Sequence, residues 1–143
     1  MIRRTVAIVL GLILILSTMI VVSGCTGQGE PAFANSMTEN ILKAMNDGDY
    51  TRYSANFNKE MKSAATEEVF NQTNAQIKAI IGNYISKEYW KTETQEGYVM
   101  VYYMAKFTGE PQDVAVRIVF QDIDGEMYVA GIWFDSPKLR ESS

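Results

Sequence analysis

The chain has 143 residues, 47% of them hydrophobic and 21% charged, which is typical of a folded domain rather than a disordered one. Its formal net charge is −4 and its basic residues are scattered singly, so we expect no nucleic acid partner. With one cysteine and no histidine, it cannot form an internal disulfide, a thiolate metal cage, a histidine-ligated zinc site or a histidine-dependent catalytic triad. We therefore expect neither a metal nor a cofactor.

The first residues have the layout of a secretory signal, a short basic start followed by an apolar stretch. Arg3 and Arg4 supply the charge, and an uncharged aliphatic run continues to Val22. A run of about twenty apolar residues can also span a bilayer, so an uncleaved transmembrane anchor is the alternative. The two arginines also admit a twin-arginine export signal, but the surrounding residues do not match its fuller motif. Both main interpretations place the domain outside the cytoplasm.

The residues at the end of the apolar run favour a cleaved signal peptide over an uncleaved transmembrane anchor. Val22, Ser23, Gly24 and Cys25 resemble the lipobox of prokaryotic lipoproteins, in which an aliphatic residue and two small residues precede a cysteine. The resemblance implies that the thiol of Cys25 receives a diacylglyceryl group and that the chain is cut just before it. Residues 1–24 are then a cleavable signal peptide. The mature chain keeps 11 basic and 17 acidic residues and is held on the outer face of the cell membrane by its lipid.

Helical signals fill the first half of the mature chain. They follow residues 25–35, which contain two glycines and a proline and are expected to form a flexible linker. Ser36 opens a capping box that predicts the start of a first helix, and Gly48 is suited to end it. Asp49 is a good N-cap for a short second helix. Apolar residues at helical spacing predict a third helix over residues 66–81.

From residue 84 onward, aromatic and β-branched residues alternate with turn residues at fairly even spacing. Helices followed by such a meander predict an α+β domain over residues 36–135, in which three N-terminal helices pack on a curved four-stranded antiparallel sheet. Residues 136–143 are polar and are expected to fray. The four predicted strands span residues 84–94, 98–107, 113–121 and 126–134. The third alternates cleanly, which predicts that one of its faces carries Val114, Val116, Ile118 and Phe120.

The order of these elements, with the segment ILKAMNDGDY at residues 41–50, resembles the nuclear transport factor two-like superfamily, whose fold is a cystatin-like cone. The resemblance covers residues 36–134 and is strongest to small secreted or lipid-anchored members that are domains of unknown function. It implies a domain that dimerises through its sheet or binds a small molecule inside the cone. Enzymatic members use Asp, Tyr or His side chains in the cone, but no catalytic residue can be placed here by motif.

The second and fourth predicted strands are apolar on both sides, so both faces of the sheet are expected to be covered. One face packs on the helices. The other meets the chain's own core, a second subunit or a ligand, and these three alternatives stay open. Arg117 is expected either to bind an anionic ligand or, as is more common, to pair with a nearby carboxylate or extend to the rim. The residues expected to line a pocket or dimer face are Tyr89, Tyr102, Tyr103, Arg117, Tyr128 and Trp133.

The acidic residues at 122–126 could suggest a calcium-binding loop. The glycine, however, is the fourth residue of the segment rather than the sixth, and predicted strands flank it, so a hairpin turn is predicted instead.

The expected function is that of a membrane-anchored extracytoplasmic lipoprotein whose domain binds a ligand or a protein without catalysis. The alternative is a small enzyme of the same fold with Asp or Glu and Tyr acid–base chemistry. Such an enzyme requires a carboxylate of raised pKa beside a tyrosine in the cone.

Overall fold

A computed structural model describes residues 29–143. The predicted signal segment, its lipobox residues Val22, Ser23 and Gly24, and the proposed lipid site Cys25 lie outside the described residues. No helix within residues 29–143 is long and apolar enough to cross a membrane. The elements in chain order are α1 (Ala32–Asp47), α2 (Tyr50–Tyr53), α3 (Lys59–Ala64), α4 (Glu67–Ile81), β1 (Tyr84–Gln95), β2 (Tyr98–Phe107), β3 (Glu110–Ile123), β4 (Glu126–Asp135) and α5 (Pro137–Glu141).

The four strands form one antiparallel meander in the order β1-β2-β3-β4. Two-residue turns join the strands of each hairpin. Glu96 and Gly97 in the first turn, and Asp124 and Gly125 in the last, all have positive φ, as a type I′ hairpin turn requires. The predicted α+β class, with helices and a four-stranded antiparallel sheet, is confirmed.

The core lies between the helices and one face of the sheet, called here the inner face. The predicted alternation of the third strand places Val114, Val116, Ile118 and Phe120 on that face, where all four are fully buried. The residues between them, including Arg117, point to the opposite side, called the outer face. Every second residue of β3 therefore packs in the core, and the residues between them face the opposite side of the sheet.

The first helix begins earlier than predicted, at Ala32 rather than at Ser36. Ser36 does not cap it; its hydroxyl donates a hydrogen bond to the carbonyl oxygen of Phe33, one turn back. Phe33 packs edge-on against Phe120, with ring centroids 5.1 Å apart. Burying this ring favours helix over residues 32–35, which had been predicted as the end of the linker.

Two short helices were not predicted. The side-chain oxygen of Asn58 caps α3 by accepting a hydrogen bond from the amide of Met61 at 2.7 Å. The helix α5 lies in the tail that was predicted to fray. Its first turn is held by Glu110, which accepts a hydrogen bond from the Lys138 amide at 3.1 Å, and Leu139 packs against the core. These tertiary contacts are not visible in the local sequence.

Candidate functional site

The six residues predicted to line a pocket are divided between the two faces of the sheet. Tyr89 pairs with Tyr103 across β1 and β2 on the inner face, where Tyr103 is fully buried. Residues on opposite sides of a sheet cannot line one cavity, so the expected single set is corrected to two separate sets. The remaining four lie on the outer face: Tyr102, Arg117, Tyr128 and Trp133.

An aromatic and cationic row crosses the outer face. The register places Tyr102 directly opposite Arg117, and Arg117 directly opposite Trp133. The guanidinium carbon of Arg117 lies 4.3 Å from the centroid of the Trp133 ring, within range of a cation–π interaction. Trp90 meets Tyr102 edge to face at 6.0 Å. We call these four residues the outer row.

Both tryptophans of the chain belong to this row. Trp90 is 56% exposed and Trp133 is 48% exposed, so no described helix covers the row. The prediction that the second face is apolar on β2 and β4 is consistent with the structure, but residues 29–143 themselves leave this surface open.

Trp133 forms the ridge between two depressions on the outer face. One has a volume of about 550 Å³ and extends toward Asn58, Glu96 and Tyr98 at the hairpin end of the sheet. The other has a volume of about 320 Å³ and is called here the Arg117 depression. Its lining residues are Trp90, Tyr102, Ala115, Arg117, Trp133, Phe134 and Asp135.

Of the alternatives expected for Arg117, the described part of the chain does not show an ion pair with a nearby carboxylate. No carboxylate among residues 29–143 lies within 4.0 Å of its guanidinium. Its Nε is buried and has no hydrogen-bond partner within the described chain. The aromatic contact with Trp133 therefore holds the side chain in place without a carboxylate of the described chain in direct contact, and Glu93 acts on the guanidinium only through space.

Lys91 is the neighbouring cation on this face, and its charge is already paired. Its ammonium lies 4.5 Å from the Tyr102 ring centroid and donates a 2.6 Å hydrogen bond to Glu93. The hydroxyl of Tyr102 donates to the same carboxylate at 2.8 Å. The hydrogen bond from Lys91, followed by the one from Tyr102, lowers the pKa of Glu93, so the carboxylate stays ionised at neutral pH.

A second concavity lies on the inner face between α4 and β4, and we call it the α4–β4 groove. Its volume is about 190 Å³. The amide nitrogen of Asn74 donates to the Met45 carbonyl oxygen at 2.9 Å, but the side-chain oxygen of Asn74 is buried without a partner. The groove is lined by Met45, Tyr53, Met61, Ala65, Val69, Phe70, Thr73, Asn74, Ile77, Ile132 and Phe134.

The inner-face tyrosines lie beside a buried lysine rather than in a cavity. The ammonium of Lys87 is 3.6 Å from Glu39, 3.9 Å from Glu30 and 4.7 Å from the Tyr103 ring centroid. The side chain of Lys87 is only 7% exposed. Burial would raise the pKa of Glu39, but a hydrogen bond from Tyr84 and the nearby lysines outweigh it and lower that pKa. This cluster fastens the start of α1 to β1.

The described residues contain no group of three or more Asp, Glu, Cys or His side chains placed to hold a metal ion. The acidic turn predicted over residues 122–126 is a hairpin, in which the Asp122 carboxylate accepts a hydrogen bond from the Gly125 amide at 2.9 Å. That arrangement is an ordinary turn contact.

Residues 38–132 match the sequence profile of a family described as Protein of unknown function (DUF3887). The chain belongs to the DUF3887 family. A comparison with curated proteins finds no match. A solved structure of the designed protein Rd1NTF2_05, carrying five substitutions, is similar with a TM-score of 0.49 and 13% identity, covering 72% of this chain and 96% of that chain.

Sequence reasoning missed two features of the candidate site in this DUF3887 chain. Trp90 was not predicted in the outer row because a register shift between Tyr89 and Lys91 breaks the strict alternation of β1. Asn74 was passed over because a polar residue on a helix is usually solvated, whereas here it is 7% exposed. A bulge and a buried amide both depend on tertiary packing.

Proposed function

We propose that this DUF3887 protein is a lipid-anchored, extracytoplasmic binding module whose outer sheet face recognises a partner without catalysis. The observation that carries the proposal is the outer row, in which two exposed tryptophans flank an arginine that has no carboxylate partner. Tryptophan and arginine are the residues most enriched at binding hot spots. A contiguous exposed aromatic surface on a small domain is typical of an interaction site.

The proposed anchor is supported by the lipobox-like residues Val22, Ser23, Gly24 and Cys25. The test is the intact mass of the protein extracted from membranes in detergent. We expect an N-terminus at Cys25 carrying a diacylglyceryl group, and we expect the variant Cys25→Ser to keep residues 1–24. Recovery of the wild-type chain with Met1 attached and no acyl mass would reject the anchor.

We infer that the helices and the sheet form the cone of the nuclear transport factor two-like superfamily. The support is the element order, with helices preceding a four-stranded meander, and the segment at residues 41–50. Members of that superfamily dimerise through the sheet or bind small molecules, and both uses agree with a binding role.

Hydroxyl-radical footprinting tests whether the outer face is covered in its natural setting. We expect Trp90 and Trp133 to be oxidised more slowly in intact cells than in the purified full chain, because a partner shields them. Met37, a partly exposed residue of α1 on the helix side, serves as the control and should react equally in both samples. Equal oxidation of the tryptophans in cells and in solution would reject the outer face as the recognition surface.

A second candidate function is the binding of a small apolar molecule in the α4–β4 groove, and the unpartnered side-chain oxygen of Asn74 favours it. Such a ligand would donate one hydrogen bond to that oxygen. Thermal-shift titrations with phenol and with toluene test this, because a ligand stabilises the state that binds it. Stronger stabilisation by phenol is expected, and an equal response would exclude a role for Asn74.

The alternative of carboxylate and tyrosine catalysis gains no supporting observation from the α4–β4 groove. Tyr53 is its one phenol, and burial raises the pKa of Tyr53 to about 12. No carboxylate, lysine or arginine is among the residues that line it. A phenol of such high pKa stays protonated at neutral pH and has no base beside it.

A further inference from the structure

Arg117 occupies an unusual electrostatic position. It is a central-strand residue, only partly exposed, and its aromatic neighbour Trp133 cannot neutralise its charge. Glu93 lies within electrostatic range, but its carboxylate oxygens accept hydrogen bonds from Lys91 and Tyr102 and make no ion pair with Arg117. Removing a charged group from water costs free energy unless an opposite charge or hydrogen-bond acceptor replaces the lost water. The buried Nε of Arg117 has no such acceptor within the described chain. A guanidinium held in this way is suited to a carboxylate that arrives with a partner.

The surroundings of Arg117 define the rest of that partner. The Arg117 depression has a volume of about 320 Å³, at the lower end of the range of about 300 to 1,000 Å³ that ligand sites occupy. Apart from Arg117 and Asp135, its lining side chains are aromatic or aliphatic. The exposed rings of Trp90 and Trp133 offer flat surfaces on which another ring can stack. The occupant therefore needs an apolar, preferably flat body.

The charges nearby limit the occupant to one negative group. Lys91 is already paired with Glu93, so it does not supply a second cation. Asp135 lies in the lining of the depression and is paired with Arg140 at 3.4 Å. A second anionic group on the ligand would meet Glu93 or Asp135 and no free cation. The acidic balance of the whole chain also disfavours polyanions.

We propose that the Arg117 depression binds a small organic monoanion, in which one carboxylate is joined to a flat apolar body. The carboxylate pairs with the guanidinium of Arg117, and the apolar body stacks against the tryptophan rings. This inference rests on the proposed function, since it names the ligand class for the same outer face. It requires no lipid anchor.

Tryptophan fluorescence reports on this site selectively because both tryptophans of the chain line the depression. The full chain, purified in a non-ionic detergent, is titrated with phenylacetate and with its neutral isostere phenylacetamide. Excitation at the red edge of tryptophan absorption avoids both probes. We expect a saturable change with phenylacetate and an affinity for phenylacetamide that is weaker by roughly tenfold or more, because the amide loses the charge-assisted hydrogen bonds.

Two arginine variants make the test specific. Arg117→Gln should remove the preference for phenylacetate over phenylacetamide. Arg52→Gln is the matched control, because Arg52 lies on α2 and pairs with Asp47 away from the outer face, and this variant should keep the preference. Thermal unfolding of each variant establishes that it is folded before titration.

Equal affinity for the two probes, or a preference that survives in Arg117→Gln, would overturn the proposal. A fluorescence change that depends on protein concentration instead of probe concentration would also overturn it, because a second copy would then occupy the face. In that case the outer face would still be a recognition surface, as the footprinting experiment would show. The mass of the Cys25 N-terminus tests the anchor separately and does not bear on this ligand.

Discussion

The indole of Trp133 occupies the space beside Gly131 that a side chain at that position would fill, two residues earlier on β4. A Cβ atom built on Gly131 would overlap two carbons in the six-membered ring of Trp133. The absence of a side chain at Gly131 thus leaves the space that the Trp133 ring occupies. Because Trp133 pairs across the sheet with Arg117, the position of that ring also sets where the guanidinium lies.

We predict that Gly131→Ala displaces the Trp133 ring and alters the Arg117 depression. The new methyl group forces the far end of an exposed side chain to move, so the free energy of unfolding should change by only about 0.5 kcal/mol. Near-ultraviolet circular dichroism should change, and phenylacetate should bind more weakly. Gly29→Ala is the control, since no atom lies within 4 Å of its added Cβ. An unchanged aromatic spectrum in Gly131→Ala would contradict the packing described.

We predict that Gly82→Ala is more destabilising than Gly48→Ala. Both glycines have positive φ, but Gly82, at φ 78° and ψ −149°, lies in a region that is almost confined to glycine. Its added Cβ would also meet the backbone nitrogen of Gly109 at 2.8 Å, whereas nothing lies near Gly48. Chemical denaturation should show a loss of about 1 kcal/mol for Gly48→Ala and a larger loss for Gly82→Ala. Equal losses would show that the contact with Gly109 relaxes without cost.

We predict unequal effects from removing two buried hydroxyl groups of the inner face. The hydroxyl of Tyr103 makes no hydrogen bond of good geometry within the described chain, but the side chains of Glu30 and Thr38 lie close enough to interact with it. Tyr103→Phe should therefore cost less stability than Tyr84→Phe. The hydroxyl of Tyr84 donates to Glu39 at 2.8 Å, so Tyr84→Phe should lower the free energy of unfolding by about 1 kcal/mol. Denaturant unfolding of the two variants measures the difference. A loss in Tyr103→Phe as large as that in Tyr84→Phe would indicate that the Tyr103 hydroxyl is fully hydrogen-bonded in the folded state.

We predict that Glu39 contributes to stability in a pH-dependent way. Its pKa is below the ordinary value of 4.5, because hydrogen bonds and nearby lysines outweigh the effect of burial. A carboxylate with a lowered folded pKa stabilises the fold above its unfolded pKa and loses that contribution as pH falls through the folded value. The difference in unfolding free energy between wild type and Glu39→Gln should be constant above pH 4.5 and shrink below it. If this difference in unfolding free energy is the same at all pH values, the contribution of Glu39 comes from packing and not from its charge.

The sequence was sufficient to predict the sheet because its signals are local. Alternation in β3 and the Asp124–Gly125 turn depend on neighbouring residues, and both appear where they were expected. The prediction that α1 begins at Ser36 was wrong, because the contact between Phe33 and Phe120 that extends the helix joins residues far apart in the sequence. The helix α5 was missed for the same reason, since Glu110 holds its first turn.

The candidate site was only partly accessible from sequence. The outer-face residues Tyr102, Arg117, Tyr128 and Trp133 could be named from residue type. Alternation along one strand already separates the adjacent Tyr102 and Tyr103, but relating residues on different strands to one face required the strand register. The absence of an ion pair at Arg117 could not be foreseen, because it depends on where every carboxylate lies in space.

Because α1 begins at Ala32, the linker between the proposed lipid anchor and the folded domain is shorter than predicted. If Cys25 carries the proposed lipid, only residues 26–31 separate it from the start of α1, and six residues reach at most about 20 Å when fully extended. With so short a linker, the domain would bind only partners that approach the lipid headgroups. Lengthening this stretch with a glycine and serine insert would relax that geometric restriction without altering the folded domain.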